Sequence, residues 1–261
     1  MIITITNNKG GVGKSTTAQT LAIGLAQKRF KVLVLDLDPQ CSTTITFKAN
    51  DKANTIYQVL KGNCNITDAI YDNGYINIIP SSLELINADD EFKKGVYQYK
   101  MHKLVKEQLD TIKSKYDYII IDTPPNLSLL TTNAIYSSDA VLIPMIADIY
   151  SINGLKVIHQ QIQDIKEGTD NKDVYIMGLL LTHYKQQTLL NQSLRDTLQE
   201  IAKQIDTKVY KSVIRDSVIF SDSQASNNVC LLKYPNHNAT NDYISFIDEF
   251  IKDTKSFIGG K

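Results

Sequence analysis

The chain has 261 residues, of which 43% are apolar and 21% charged, values that are typical of a globular protein. Its 28 basic residues balance 28 acidic ones, which excludes a surface that is basic throughout but not a local basic patch. No apolar run approaches the length of about eighteen residues that crosses a membrane, and the start MIITIT lacks the basic segment of a secretory signal, so we expect a cytoplasmic protein.

Short apolar, β-branched segments alternate along the chain with longer segments of helical periodicity. In chain order they predict a strand at 2–6, a helix at 15–28, a strand at 31–35, short helices at 55–61 and 66–71, a strand at 76–80, a long helix at 97–115, strands at 118–121 and 140–145, a helix at 151–166, a strand at 174–182, a helix at 189–205, a strand at 209–214 and a closing helix at 240–255.

Strands that are almost continuously hydrophobic and alternate with helices are typical of parallel βαβ units. The sequence therefore predicts an α/β fold, a doubly wound, mostly parallel sheet with helices on both faces. No linker or repeat divides the chain, so we expect a single domain over residues 1–261, with a frayed tail at 259–261.

The segment KGGVGKST at 9–16 lies between the first predicted strand and the first predicted helix. Its glycines allow backbone N–H groups to turn toward phosphate oxygens, and the positive end of the helix faces the same place. Lys14 is placed to reach β- and γ-phosphates, and the Ser15 hydroxyl to hold Mg²⁺. The predicted binding residues are Lys9, Gly10, Gly11, Val12, Gly13, Lys14, Ser15 and Thr16.

Acidic residues end two of the predicted strands. Asp122 closes the strand YIII, where phosphoryl transfer requires an acid that orients the metal. Asp36 and Asp38, in DLDPQ, lie on the same side of an extended chain because side chains alternate with period two. We expect Asp36 to support the Mg²⁺ held by Ser15 and Asp122, and Asp38, further out on a loop, to position the attacking water.

Three stretches together resemble the ParA family of partition ATPases, within the ParA/MinD group that has a deviant phosphate loop. They are KGGVGKST at 9–16, VLVLDLDPQ at 32–40 and YDYIIIDTPP at 116–125, and the resemblance covers nearly the whole chain. It implies ATP and Mg²⁺ as cofactors, a homodimer formed with ATP, weak basal ATPase activity and non-specific DNA binding by that dimer. It also implies stimulation by a ParB-like centromere-binding protein and a cytoplasmic location on the nucleoid.

The resemblance also gives a role to Lys9, an additional lysine beside Asn8, which stands where the usual loop has glycine. In this family such a lysine reaches across a face-to-face dimer to the partner's ATP. Lys9, Lys14 and Asp38 are therefore the predicted catalytic residues. Because the phosphate loop starts the chain, the resemblance is to the short form, which is not expected to bind an operator by itself.

The sequence departs from the family at Cys41-Ser42, where relatives continue DPQ with Gly-Asn, and this places a thiol near the nucleotide. Cys64 and Cys230 lie elsewhere, and three cysteines without a C-x-x-C pair predict neither a disulfide framework nor a zinc site.

The regions that contact DNA in relatives are altered as well. Gln187 stands where arginine is expected, and Arg215 is displaced by one position, with Asp216 beside it. The candidates for DNA contact are Lys185, Arg195, Lys203, Lys211 and Arg215.

Two other functions remain open. A MinD-like positioning ATPase would hold a membrane through a basic closing helix, but the four acids in this segment would be repelled by anionic lipid, so no stable membrane association is expected. A metabolic P-loop ligase or amidase shares the loop but lacks the combination of Lys9 and DLDPQ.

Overall fold

The computed structural model describes residues 1–50, 52–92, 101–185 and 189–258. Its strands are β1 (Ile2–Ile5), β2 (Val32–Asp36), β3 (Tyr71–Asp72), β4 (Asn77–Ile79), β5 (Tyr118–Asp122), β6 (Ala140–Met145), β7 (Tyr175–Tyr184) and β8 (Val209–Arg215). In these ranges they form one eight-stranded sheet in the order β3-β4-β2-β5-β1-β6-β7-β8. The edge strand β3 is antiparallel to β4, and the other neighbouring pairs are parallel.

Helices occupy most of the connections between strands. They are α1 (Lys14–Gln27), α2 (Ser42–Thr46), α3 (Ile56–Leu60), α4 (Ala88–Phe92), α5 (Leu104–Asp110), α6 (Leu129–Tyr136), α7 (Ile149–Gly168), α8 (Leu189–Gln204), α9 (Val218–Ala225), α10 (Cys230–Lys233) and α11 (Asn238–Ile258). Short 3-10 turns span Ile66–Ala69, Leu83–Asn87 and Lys113–Lys115. Within the described ranges, no helix combines the length and the apolar character needed to cross a bilayer.

The two faces of the sheet carry separate apolar cores, as the alternation of side chains along each strand requires. On one face, Val34 and Ile120 pack with apolar residues of α1, α10 and α11. On the other face, Leu35 and Ile121 pack with α3 to α6, and the side chains of β6 and β7 pack with α7 and α8. The prediction of a doubly wound, mostly parallel sheet with helices on both faces is confirmed.

The long helix predicted at 97–115 is wrong in its extent. The described part is helical only over Leu104–Asp110, and residues 97–100 lie outside the described ranges. After Asp110 the amides of Thr111 and Ile112 bond carbonyls three residues back, at 3.2 and 3.0 Å, which tightens the chain into a 3-10 turn. Apolar periodicity continues through Ile112, which is buried, although the helix does not.

Other short elements were not predicted: β3, α2, α4, α6, α9 and α10. The helix predicted at 66–71 is instead a 3-10 turn followed by β3. The predicted frayed tail at 259–261 lies outside the described residues.

The topology brings several functional segments to one edge of the sheet. The carboxyl ends of β1, β2, β5 and β6 all face this edge, because these strands are parallel. From β1 the chain passes to β2 on one side of the sheet, and later to β6 on the other side. Ligands of doubly wound folds bind where the strand order reverses in this way.

Close packing at Gly178 in β7 supports a test of the fold. A Cβ there would lie 2.4 Å from Cε2 of Tyr210, a fully buried ring that packs edge-on against Phe246 with centroids 4.9 Å apart. We expect Gly178→Ala to lower the free energy of unfolding by about 1–3 kcal/mol, because the buried ring or the strand must shift to accept the added methyl group. Urea denaturation measures the change.

The same substitution at Gly154 is the control. An added Cβ there would meet nothing within 4 Å. Since Gly154 lies within α7, alanine should leave stability unchanged or raise it by up to about 1 kcal/mol. Equal stability of Gly178→Ala and the wild-type chain would contradict the packing described for Tyr210.

Candidate functional site

The glycine loop between β1 and α1 opens onto the carboxyl edge of the sheet. Gly11 and Gly13 have φ angles of 71° and 81°, in the left-handed region that glycine adopts without strain. A Cβ on Gly10 or Gly11 would meet no atom within 4 Å, so this part of the loop borders open space. Among the described residues, no side chain caps the start of α1 at Gly13. Free amides at a helix N-terminus form an anion-binding site.

Lys14 begins α1, and its side chain turns back beneath the loop. Its Nζ donates to the carbonyl oxygen of Lys9 at 3.2 Å, and only 7% of the residue is exposed. Burial lowers the pKa of Lys14, and the negative charges of Asp122 and Asp38 oppose that shift. The ammonium group therefore lies between the open loop and two acids, where it can bind phosphate oxygens.

Two acids form a buried pair at the strand ends. Asp36 and Asp122 are direct neighbours in the register of β2 and β5, and neither is exposed. Burial raises the pKa of Asp36, and the charge of Asp122 adds to this shift. Burial also raises the pKa of Asp122, although hydrogen bonds from Thr43 and Ser15 favour its ionised form.

The two carboxylates differ in the hydrogen bonds that they accept. Oδ2 of Asp36 accepts from the backbone N–H of Thr44 at 2.8 Å and from its hydroxyl at 2.6 Å, and Oδ1 accepts from the N–H of Asp38 at 3.0 Å. Oδ2 of Asp122 accepts from the Thr43 hydroxyl at 2.7 Å. Its Oδ1 is buried and accepts no hydrogen bond of normal geometry from the described residues, which leaves this oxygen available to a cation.

The oxygens of Asp122 and Ser15 suit Mg²⁺, which needs few protein ligands, better than they suit a metal whose ligands all come from the protein. In the described ranges, no three His, Cys, Asp or Glu side chains are grouped as a metal centre. Mg²⁺ commonly takes one or two protein oxygens and completes its shell with water and phosphate oxygens. Oδ1 of Asp122 and the hydroxyl of Ser15, which hydrogen-bonds to Asp122, suit that arrangement. Both oxygens of Asp36 are already engaged, so it fits as a direct ligand less well.

Asp38 follows β2 and is 6% exposed. Its Oδ1 accepts from the N–H of Gln40 at 2.9 Å, and its charge acts on Lys14. The chain then turns at Cys41, which has a φ of 56°, and enters α2. Because α2 hydrogen-bonds to the carboxylates of the buried pair, this loop is held against the strand ends.

Lys9 lies at the rim of the site and is paired within its own chain. Its Nζ is 2.5 Å from Oδ2 of Asp148, and about 39% of the lysine side chain is exposed. Asp148 also caps α7, because its Oδ1 accepts from the N–H of Ser151 at 2.7 Å. Burial raises the pKa of Asp148, but the hydrogen bonds from Lys9 and Ser151 outweigh it, so the net shift is downward.

A cavity of about 600 Å³ lies beside the loop, between its glycines and the segment after β8. Gln224 and Thr16 meet at its wall, where Nε2 donates to Oγ1 at 3.0 Å. Phe220 and Tyr243 line it and pack edge to face, with ring centroids 5.7 Å apart. This volume is typical of a small-molecule pocket, and the cavity adjoins the phosphate loop at Gly11, Gly13 and Thr16.

Two of the predicted DNA contacts lie next to acids. Arg215 donates to both carboxylate oxygens of Asp242, at 2.6 and 2.8 Å. Lys185 lies 3.9 Å from Asp216. The positive charge that these two residues offer to a phosphate backbone is therefore partly neutralised.

The other three candidates lie on α8 and β8. Nη2 of Arg195, on α8, donates to the carbonyl oxygen of Lys211, on β8, at 3.1 Å. Lys203 lies in the last turn of α8. The structure thus brings Arg195 and Lys211 together, on elements different from those that carry the glycine loop.

Sequence reasoning missed four residues that hydrogen-bond to the predicted lysine and acids of this site. Asp148 had a weak signal, an acid three residues before Ser151, which is typical of a helix N-cap. Thr43, Thr44 and Ser81, whose hydroxyl donates to the carbonyl oxygen of Asp38, had none, because their bonds to the acids follow no periodic pattern in the sequence.

Comparison with known proteins agrees with the fold. Residues 1–176 match the family model described as an AAA domain. The chain is 33% identical over 252 residues to the sporulation initiation inhibitor protein Soj of Bacillus subtilis (strain 168), an alignment that covers 95% of this chain and 97% of Soj. It is 30% identical over 255 residues to the chromosome partitioning protein ParA of Myxococcus xanthus (strain DK1622), covering 96% of this chain and 88% of that protein.

Among solved structures, a plasmid partition protein from Borrelia burgdorferi B31 bound to AMPPNP is similar, with a TM-score of 0.80 and 32% identity. The match covers 96% of this chain and 98% of that one. Since these similarities extend over nearly the whole chain, and the family match at 1–176 includes the glycine loop, the protein belongs to the ParA/Soj family of partitioning ATPases.

Proposed function

We propose that the protein is a Mg²⁺- and ATP-dependent ATPase of DNA partition, which dimerises with ATP and binds DNA non-specifically as the dimer. It hydrolyses ATP slowly until a ParB-like protein stimulates it. The observation that carries this proposal is the close grouping of Lys14, Asp38 and Asp122 beneath the open glycine loop. Phosphoryl transfer needs a cation on the phosphates, an acid for the metal and a group that positions water, and these residues supply all three.

In this proposal the triphosphate of ATP lies on residues 9–16, and its β- and γ-phosphates lie beside Lys14. The nucleoside occupies the cavity next to Thr16, and the AMPPNP bound to the Borrelia relative, an ATP analogue, supports this ligand class. Ser15 and Asp122 hold Mg²⁺ with support from Asp36, and the metal neutralises charge on the phosphate oxygens. Asp38 orients the attacking water.

Lys9 completes the active site from the partner chain. In a single chain its ammonium is paired with Asp148. When two chains meet face to face, the partner's γ-phosphate is a stronger counter-charge than one carboxylate, so Lys9 exchanges Asp148 for phosphate. Dimerisation is then linked to the presence of a triphosphate.

DNA binding is proposed for the ATP dimer on the nucleoid, through Lys185, Arg195, Lys203, Lys211 and Arg215. Because the chain has no net charge, this binding depends on a few phosphate contacts and weakens steeply with salt. A MinD-like role is not favoured, since Phe246 and Phe250 of α11 are fully buried in the core and not available to lipid.

The first prediction from the proposed function concerns Lys14. Lys14→Ala should abolish measurable ATP binding and hydrolysis, because it removes a buried charge partner worth roughly 2–5 kcal/mol. Calorimetry measures the binding. Lys156→Ala, which removes an exposed lysine on α7, is the control and should bind ATP normally. Tight ATP binding by Lys14→Ala would exclude the assigned phosphate site.

The second prediction concerns Asp38. Asp38→Ala should bind Mg-ATP but hydrolyse it roughly 10²–10⁴-fold more slowly, because the water is no longer oriented. Size-exclusion chromatography with ATP should show a long-lived dimer. Asp38→Asn can still accept the Gln40 N–H and should be as slow as Asp38→Ala. A normal rate for Asp38→Asn would mean that the residue only shapes its loop.

The third prediction concerns Lys9. Lys9→Ala should keep ATP binding by the monomer, because Lys14 and the glycine amides come from the same chain. It should weaken dimerisation and reduce hydrolysis, by up to roughly the 10³–10⁵-fold effect of catalytic fingers supplied in trans. Single-turnover assays and sedimentation measure the two effects. Full activity of Lys9→Ala would rule out the trans role.

A mixing experiment separates action in trans from action within one chain. In a mixed dimer of Lys9→Ala and Lys14→Ala chains, the first chain binds ATP and the second supplies an intact Lys9. Some activity that neither variant has alone should therefore return. A Lys9→Ala chain mixed with the double variant Lys9→Ala/Lys14→Ala is the control and should remain inactive.

A further inference from the structure

Ser81 follows the end of β4 and is 4% exposed. Its hydroxyl donates to the carbonyl oxygen of Asp38 at 2.7 Å, and its backbone N–H donates to Oγ1 of Thr44 at 2.8 Å. One serine therefore connects the loop after β2 to α2, although the three residues lie on separate segments of the chain.

Thr44 links Ser81 to the buried carboxylate of Asp36. Its hydroxyl accepts from Ser81 and donates to Oδ2 of Asp36 at 2.6 Å, and Thr44 is 1% exposed. Oδ1 of Asp36 in turn accepts from the N–H of Asp38 at 3.0 Å. These bonds close a ring of four buried residues, which we call the Asp38 tether: Asp36, Asp38, Thr44 and Ser81.

The tether holds the backbone of Asp38 on both sides. Its N–H bonds to Asp36, and its carbonyl oxygen accepts from Ser81 and from the N–H of Cys41, the latter at 2.8 Å. A residue that orients water must be placed to within a fraction of an ångström, and a misplacement of about 1 Å can cost roughly 10²-fold in rate. A buried ring of hydrogen bonds supplies this precision at a position that lies outside the strand ladder.

We infer that Thr44 and Ser81 are positioning residues for hydrolysis, which hold Asp38 over the phosphate site through their bonds to Asp36 and to the Asp38 backbone. This inference rests on the proposed function, because it assumes that Asp38 orients the attacking water. It assigns Asp36 to the tether as its anchor, in addition to the support for Mg²⁺ proposed above.

The direct test compares two substitutions of one side chain. Thr44→Val keeps the shape but removes the hydroxyl, and should lower kcat by roughly 10- to 100-fold with little change in KM for ATP. Thr44→Ser restores the hydroxyl and should recover most of the rate. Ser81→Ala should resemble Thr44→Val, whereas Ser82→Ala, at an exposed bond to Glu84, should not. Unchanged kcat in Thr44→Val and Ser81→Ala would overturn the inference.

A second measurement distinguishes positioning from general destabilisation. In the Asp38→Ala background, Thr44→Val should cause no further loss of rate, because there is no longer a side chain to position. A further loss of the same size as in the wild-type background would show that Thr44 acts independently of Asp38, and would contradict the tether.

A third measurement tests whether the tether holds the loop, without using ATP hydrolysis as the readout. Cys41 is half-buried and directly follows the Asp38 loop, whereas Cys230 is buried. In a Cys64→Ser background, Thr44→Val should increase the rate of Cys41 labelling by a maleimide several-fold over Thr44→Ser. Equal labelling rates would refute the tether. Absence of ATPase activity in the wild-type chain, together with faster labelling in Thr44→Val, would place the failure in the proposed function instead.

Discussion

The site depends on one constraint, the burial of two carboxylates side by side at the ends of β2 and β5. Two negative charges without solvent are costly unless donors or protons compensate them, and both pKa values are raised accordingly. The donors come largely from Thr43 and Thr44, which draw α2 against the strand ends. The position of α2 against the sheet therefore depends on its hydrogen bonds to Asp36 and Asp122. Asp122, together with Asp38, also favours the charged form of the buried Lys14.

The site contains polar groups that lack hydrogen-bond partners within the described ranges and that a magnesium nucleotide would bind. The amides at the start of α1 are uncapped by the described side chains, and Oδ1 of Asp122 has no partner of normal geometry among them. Burial of each such group without a partner costs free energy, and a ligand that bonds to it offsets that cost. Lys9 differs, because Asp148 already neutralises it within the chain. In the proposed mechanism, Lys9 leaves Asp148 only when a partner chain brings a γ-phosphate, so nucleotide binding and completion of the active site are separate events.

The features that sequence could predict are local ones. The glycine loop, Lys14, Asp38 and Asp122 are contiguous with strands that hydrophobicity identifies, so their placement follows from the βαβ pattern. The missed features depend on tertiary contacts. A helix as short as α2 is not stable by propensity, and its contacts to β2 and β5 have no periodic signal. At 97–115 the error is the opposite one, a helix predicted longer than the structure has it. The apolar spacing continues beyond Asp110, where the helix ends.

The most direct test of the account is sedimentation velocity of the wild-type chain with Mg²⁺ and either ADP or AMPPNP. AMPPNP carries a γ-phosphate that the enzyme cannot cleave, so it isolates binding from turnover. The account predicts a monomer with ADP and a dimer with AMPPNP, because only the triphosphate offers a counter-charge to the partner's Lys9. A chain that remains monomeric with both nucleotides, or that is equally dimeric with both, would contradict it.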